Sequence, residues 1–310
     1  MTTVARTKEL ARTGRIPQVL EREVRAGQLV RVRHGAYADA LEADAVAQHR
    51  QLIAGTWPIV GAETVLSHTS AGVLCGLPTW LDSLSRVTVL RPGPGHGSKR
   101  TSLHARIASL PAEDVVLVEG YRATSIERTA SDLACILRYD RAVAVLDAAL
   151  QAGASRAAIT SAVAASGRRH GVSTARAALA FADGRSESVG ESMSRVRMSD
   201  VGLPAPELQV RIFDDYGSLV ARSDFGWLLR GVLGEFDGKV KYVGPSDVVA
   251  RAVMSEKSRE NALRELGWVV VRWGWADLQN PAAFRRRMEA AFEQASQARI
   301  RGHYTLSPVI

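Results

Sequence analysis

The stretch between residues 208 and 273 leaves the chain little freedom. It holds three apolar runs, 208–213, 219–225 and 232–236, each too short for a helix and each bounded by turn residues. Asp214-Asp-Tyr-Gly217 supplies the turn between the first two, residues 227–230 bridge to the third, and Asp237-Gly238 ends it. A long helical stretch, 246–266, follows, with Arg251, Lys257, Arg259 and Arg264 facing Glu256, Glu260 and Glu265 in alternation. Gly267 stops it. Trp268-Val-Val-Val-Arg-Trp273 is then a nearly continuous apolar run, the pattern of a strand covered on both faces. A helix is expected before this region, from Arg185 to Arg197, and another after it, over 281–297 with Arg285, Arg286 and Arg287. The expected order is helix, three-strand meander, helix, strand, helix.

The acidic residues on these elements suggest a chemistry. Metal-dependent phosphodiester hydrolysis needs two or three carboxylates around Mg²⁺ or Mn²⁺, because a hard ion takes oxygen ligands and must both polarise phosphate and activate water. Asp224 lies near the end of the second strand, and Glu235 lies on its neighbour, where antiparallel pairing can bring them side by side. Glu187 and Glu191, four apart on the preceding helix, would repel and so want a cation, and Glu191 is the one expected to reach in. Ser223-Asp224-Phe225 with Gly234-Glu235-Phe236-Asp237-Gly238 resembles the very-short-patch-repair branch of the PD-(D/E)XK nucleases. The run from Glu256-Lys-Ser-Arg259 through Gly267 to Arg272 is similar to that branch's next helix and strand. The resemblance covers about 185–278 and implies a restriction-endonuclease-like αβββαβ core. It implies Glu191, Asp224, Glu235 and Asp237 as metal ligands and Asp224 and Glu235 as catalytic carboxylates. The superfamily's catalytic lysine falls on Asp237, so Lys239, Lys241, Lys257 or Arg259 would have to supply the cation, or the fold is a catalytically degenerate scaffold.

The charge is concentrated at the other end. The net charge is +8, and residues 1–38 hold eight Lys or Arg against three Glu, more than half the excess in an eighth of the chain. Such a segment attracts polyanions, because neutralising phosphates releases condensed counterions. Residues 7–13 read as a short helix, Gly14 breaks it, and Pro17 opens a second helix to about Ala26. Ile16, Val19, Leu20 and Val24 form its packed face, with Gln18, Arg22 and Arg25 outside. Residues 28–37 read as a basic hairpin in which Arg31 and Arg33, two apart, share a strand face. Helix, turn, helix and basic hairpin is the layout of a winged helix, whose second helix enters the major groove while the wing touches phosphate. On that reading, replacing both Arg31 and Arg33 by alanine flattens the salt dependence of DNA binding by about two phosphates.

The wing Arg31-Val-Arg-His-Gly35-Ala-Tyr37 resembles that of the AbiEi family of type IV toxin-antitoxin antitoxins. The likeness runs on through Ser67-His-Thr-Ser-Ala-Gly-Val-Leu-Cys-Gly76-Leu and Thr124-Ser-Ile-Glu-Arg128-Thr-Ala-Ser-Asp132-Leu, over roughly the first 150 residues. It implies a DNA-binding antitoxin or transcriptional regulator with a cognate toxin or a second copy of itself as partner.

Residues 39–183 read as scaffold, mixing helices with short strands. Ser67 is expected to cap a helix over 69–77, with His68 pointing apart from it and satisfying a local hydrogen bond, and Arg128 and Asp132 to pair at helical spacing. Residues 91–99 carry three glycines but also two prolines, which remove the backbone donors a phosphate loop needs. Residues 166–175 are the expected linker. The expected class is α+β / α/β in three domains: 1–38 winged helix, 39–183 mixed α/β scaffold and 184–310 nuclease-like core.

Composition closes off other classes. With 46% hydrophobic and 23% charged residues over 310 positions, the chain is not a disordered tail. Cys75 and Cys135, far apart, exclude a disulfide framework and a thiolate zinc site. The longest uncharged stretch, 64–81, is broken by Ser67, His68, Gly72, Gly76 and Pro78, so no membrane span is expected. Arg6, Lys8 and Glu9 occupy the place of a secretory apolar core, and a cytoplasmic protein is expected.

Overall fold

The computed structural model describes residues 4–80, 84–238 and 246–308. The chain divides into two compact units, one from Met1–Leu137 with Ala154–Arg176 and the other from Arg138–Gly153 with Ala177–Ile310. It is a mixed α and β protein with three sheets.

The first unit opens with β1 (Ala5–Arg6), α1 (Thr7–Arg12), α2 (Pro17–Arg25), β2 (Val30–Arg33) and β3 (Ala36–Ala38), whose strands pair antiparallel in the order β1-β3-β2. Gly14 turns the chain at φ +82°, and Pro17 occupies the first position of α2, where its missing N–H costs nothing. Leu10, Leu20, Leu29 and Tyr37 form the small core beneath. Ile16, expected on the packed face, is instead 52% exposed, because it is the N-cap of α2 and lies outside the helical repeat.

The unit continues with α3 (Ala45–Thr56), β4 (Val65–Leu66), α4 (His68–Leu74), β5 (Val87–Arg91), β6 (Ser98–Lys99), β7 (Leu103–Ile107), β8 (Val115–Val118), β9 (Tyr121–Thr124) and α5 (Ile126–Ala134). Its sheet runs β6-β7-β5-β4-β9-β8. Val87, Val89, Leu103 and Ala105 pack from it onto Ile53, Leu66, Ala71 and Leu74. Helices α6 (Tyr139–Gln151), α7 (Arg156–Ala165) and α8 (Val172–Phe181) follow, α6 belonging to the second unit.

Two expectations for this stretch change. Ser67 holds the N-cap position of α4 but donates and accepts no capping bond. Its hydroxyl instead meets His68 Nδ1 at 3.1 Å, so His68, at a φ of +48°, makes the local hydrogen bond expected of it, with the neighbour it was expected to point away from. Residues 166–175, the expected linker, hold the start of α8 and pack closely at Gly171, where a Cβ would lie 1.8 Å from the Cys135 carbonyl oxygen, and the first unit ends directly after them at Arg176. Cys75 and Cys135 are half-buried. The Arg128–Asp132 pair is present at 3.1 Å, and Asp114 joins it at 2.8 Å from Arg128.

The second unit adds α9 (Val189–Asp200), β10 (Glu207–Phe213), β11 (Leu219–Trp227), β12 (Val232–Phe236), α10 (Ser246–Glu265), β13 (Val269–Trp273), α11 (Trp275–Leu278), α12 (Pro281–Ala295) and β14 (His303–Thr305) to α6. Its sheet runs β13-β12-β11-β10-β14, with β12 and β13 parallel and every other pair antiparallel. The edge strand β14, three exposed residues long, had no apolar alternation to announce it. Phe225, Trp273 and Phe284 fill the core, with Trp273 5.3 Å from Phe225 and 5.4 Å from Phe284 between ring centres.

Helix α6 brings a buried carboxylate into this unit beside its buried apolar face. Asp147, 1% exposed, accepts from Asp183 N at 2.7 Å and pairs with Arg195 at 2.8 Å. Burial pushes its carboxyl up and Arg195 pulls it back. Removing one member of such a pair leaves an uncompensated charge. Arg195→Met should therefore lower unfolding stability in urea by about 3–5 kcal/mol, and Asp147→Leu added to it should recover most of that loss.

Candidate nucleic-acid interface and carboxylate site

On the amino-terminal head, Gln18, Arg22 and Arg25 are exposed on α2 at a spacing of four and then three, which aligns them along one helix face. Arg25 meets Glu21 at 3.9 Å with both side chains mostly in solvent, a contact worth little. Arg31 is exposed as well, its guanidinium 5.9 Å from the Tyr37 ring centre. Arg33 departs from expectation. A bulge at Val32 pairs Arg31 with Tyr37 but Arg33 with Ala36, and successive residues of β3 face opposite sides, so the two arginines part. Arg33 turns inward and donates to the Gly55 carbonyl at 3.3 Å and Ser102 Oγ at 3.4 Å. Burial lowers its pKa. It fastens the hairpin to α3 and leaves Arg31 as the hairpin's outward cation.

In the second unit, Glu187 and Glu191 do not share a helix face. Helix α9 begins at Val189 with Ser188 as its N-cap, so Glu187 precedes it and pairs with Arg222 through both oxygens, at 2.6 and 2.7 Å. Glu191 takes the third helical position. Its carboxylate accepts from Glu187 N at 2.9 Å, the Ser188 hydroxyl at 2.8 Å and Gln209 Nε2 at 2.9 Å, while Ser188 Oγ accepts from Glu191 N at 3.1 Å. The helix start comes this close because Gly190 has no side chain, and a Cβ there would lie 2.0 Å from the Phe236 ring.

Asp224 and Glu235 lie at the open end of the β11–β12 pair, just past Phe225 opposite Gly234. Asp224 Oδ2 accepts from Phe236 N at 2.9 Å. Glu235 is opposite Arg272 in the parallel β12–β13 register, and Arg272 Nη2 meets its Oε2 at 3.1 Å. Arg259 approaches the same oxygen at 3.5 Å, and Arg272 also binds Glu256 and, at 3.6 Å, Glu260. Burial pushes the Asp224 carboxyl up to about 7, with Glu191 and then Glu235 adding to the rise against the Phe236 N–H.

Asp224, Glu191 and Glu235 are thus brought within electrostatic reach of one another, but Glu191 and Glu235 are already held by internal donors. Among the described residues no group of three or more His, Cys, Asp or Glu is placed to share an ion. The donor set does not fit Mg²⁺ or Mn²⁺ as a three-carboxylate site. Asp237 is exposed at the mouth, its backbone N–H bound to the Trp273 carbonyl at 2.8 Å. Lys257 is exposed on α10, and the cations on Glu235 are Arg259 and Arg272. Lys239 and Lys241 lie outside the described residues.

Sequence reasoning missed Arg272, Arg222 and Gln209. Arg272 had a signal, as the one charge inside the apolar run Trp268-Val-Val-Val-Arg-Trp273. Gln209, at φ +53° in the middle of a strand, had none.

An Asp that gains proton affinity on folding stabilises the fold below its unfolded pKa and progressively loses that contribution as pH rises through the folded value. For Asp224 the window runs from about 4 to about 7. Asp224→Asn, which keeps an acceptor for Phe236 N, should melt close to the parent at pH 4 and progressively above it toward pH 8. A melting difference that is flat across this range would show that Asp224 stays ionised throughout.

Residues 63–180, from just before β4 to the end of α8, match the family model of the AbiEi antitoxin C-terminal domain. The match begins after the head and runs beyond residue 150, so its extent differs from that of the resemblance over the first 150 residues. Two Mycobacterium tuberculosis proteins, named Uncharacterized protein MT2308 and Uncharacterized protein Rv2248, are each 35% identical over 258 residues, which cover 82% of this chain and 88% of theirs. The chain belongs to the family of these two mycobacterial proteins, and its residues 63–180 are similar to the AbiEi antitoxin C-terminal domain.

Proposed function

We propose that this protein is a DNA-binding regulator of the AbiEi antitoxin type, acting through its amino-terminal head. The observation that carries the reading is the row of Gln18, Arg22 and Arg25, exposed along α2, beside a hairpin whose outward cation is Arg31. The strand order β1-β3-β2 around two short helices supports a winged-helix assignment, with α2 in the major groove and Arg31 on a backbone phosphate. The AbiEi domain supports a role in a toxin-antitoxin pair, with a cognate toxin or a second copy as its partner. No helix among the described residues is long and apolar enough to cross a membrane.

The element order of the second unit, helix, three antiparallel strands, helix and a parallel strand, supports a PD-(D/E)XK-like scaffold. Cleavage is the weaker reading, because internal donors already hold Glu191 and Glu235. Asp224, pushed up by burial and then by its neighbours Glu191 and Glu235, is the observation in cleavage's favour.

Binding to duplex DNA across a salt series tests the head. Arg31→Ala should weaken binding about equally on all sequences and flatten the salt slope by about one, while Arg33→Ala leaves the slope unchanged. Equal flattening by both would return Arg33 to the interface. Incubation with supercoiled plasmid in Mn²⁺, Mg²⁺ or EDTA tests the other unit. No metal-dependent nicking is expected, and nicking that disappears in Glu235→Ala would make the protein an endonuclease.

A further inference from the structure

Two cavities of the second unit, about 440 and 520 Å³, share two lining side chains, Trp275 and Gln279. Both volumes lie in the range of small-ligand sites. Trp275 is the first residue of α11 and Gln279 its C-cap, so the helical repeat sets the indole and the amide on one side. The indole is held at one edge by Phe236, ring centres 5.0 Å apart and planes at 78°, yet it remains 41% exposed. An aromatic ring fixed on edge with a free surface facing two cavities is organised for stacking, and a neighbouring amide offers both a donor and an acceptor to the edge of whatever stacks there.

The charges at the two mouths narrow the occupant. Arg272 lines one cavity beside Asp237 and Asp277 and is already held by Glu235, Glu256 and Glu260, so the cations a ligand can use are Arg138 and Arg197 of the other. Arg138 is paired to Asp140 at 3.2 Å with its side chain 81% exposed, and Arg197 to Asp200 at 3.4 Å, so phosphate can displace either carboxylate at small cost. A flat ring beside a pair of cations matches a base and the backbone phosphate that adjoins it. A base inside a duplex has both faces covered, so only one out of the stack reaches a recessed ring.

We propose that Trp275 is a stacking platform for an unpaired base of single-stranded DNA, with Gln279 on the base edge and Arg138 and Arg197 toward the adjoining phosphate. This site is separate from the head's duplex contact and requires no phosphodiester cleavage.

The test is fluorescence anisotropy of a labelled oligothymidylate with the full chain in EDTA, beside a duplex of unrelated sequence. Trp275→Ala should weaken single-strand binding by between about fivefold and a hundredfold, the usual effect of losing one stacked base. Trp275→Phe should stay within about threefold of the parent, while the DNA-induced quench of tryptophan fluorescence falls. Duplex binding should be unchanged in both, whereas Arg22→Ala with Arg25→Ala should change the duplex arm alone, so the failure of either site is read separately. The proposal is overturned if the parent does not bind the single strand, or if Trp275→Ala binds it as tightly as the parent. Should Trp275→Ala lose duplex binding as well, the quench decides, and one that survives intact in Trp275→Phe overturns the platform.

Discussion

The second unit depends on one parallel pairing. Val232, Leu233, Gly234, Glu235 and Phe236 lie opposite Val269, Val270, Val271, Arg272 and Trp273, and α10 supplies the crossover that a parallel pair requires. The register does three things at once. It sets Arg272 against Glu235, lowers the Trp273 ring onto Phe225 and Phe284, and delivers the chain through Gly274 to Trp275. Gly234 is the residue that permits the second, since a Cβ there would lie 2.5 Å from the Trp273 ring. A slip of one position would turn every one of these side chains to the wrong face.

The acidic residues of this unit follow one rule, and the parallel pairing supplies one instance of it. A carboxylate taken out of water must find donors or cations. Glu235 finds Arg272 and Arg259, Glu187 finds Arg222, and Glu191 finds the backbone and side chains at the start of its own helix. Asp224 is left buried with two acidic neighbours and a backbone donor, and burial first and then Glu191 and Glu235 raise its proton affinity. An internal guanidinium thus stands against the carboxylate that a catalytic site would keep for an ion.

The first unit applies the same rule to cations. Arg33 and Arg128 both sit in basic or polar motifs that invite a ligand, and both serve the fold. Arg33 ties the hairpin to the end of α3, and Arg128 bridges Asp114 and Asp132. His68 is held far below the usual imidazole range, first by burial and then by Arg106, Arg128 and other nearby cations, so it is neutral beside Ser67. On the head, by contrast, Gln18, Arg22, Arg25 and Arg31 remain exposed.

Local pattern alone determined much of this protein. Alternation and turn residues located the meander of the second unit, Gly14 and Pro17 marked the helices of the head, helical spacing placed Arg128 with Asp132, and the unbroken run at Trp268 to Trp273 announced a covered strand. Those features depend on residues a few positions apart, and their physics is complete within the segment. Tertiary structure decided the rest. It assigned α6 to the second unit with Asp147 against Arg195, turned Arg33 inward through one bulged residue, moved Glu187 off the helix it was expected to share, and set Arg272 on Glu235. Each of those outcomes is a contact between groups distant in the chain or a one-residue change of register, and burial makes such contacts decisive, because a charge removed from water must be met by whatever the fold brings to it.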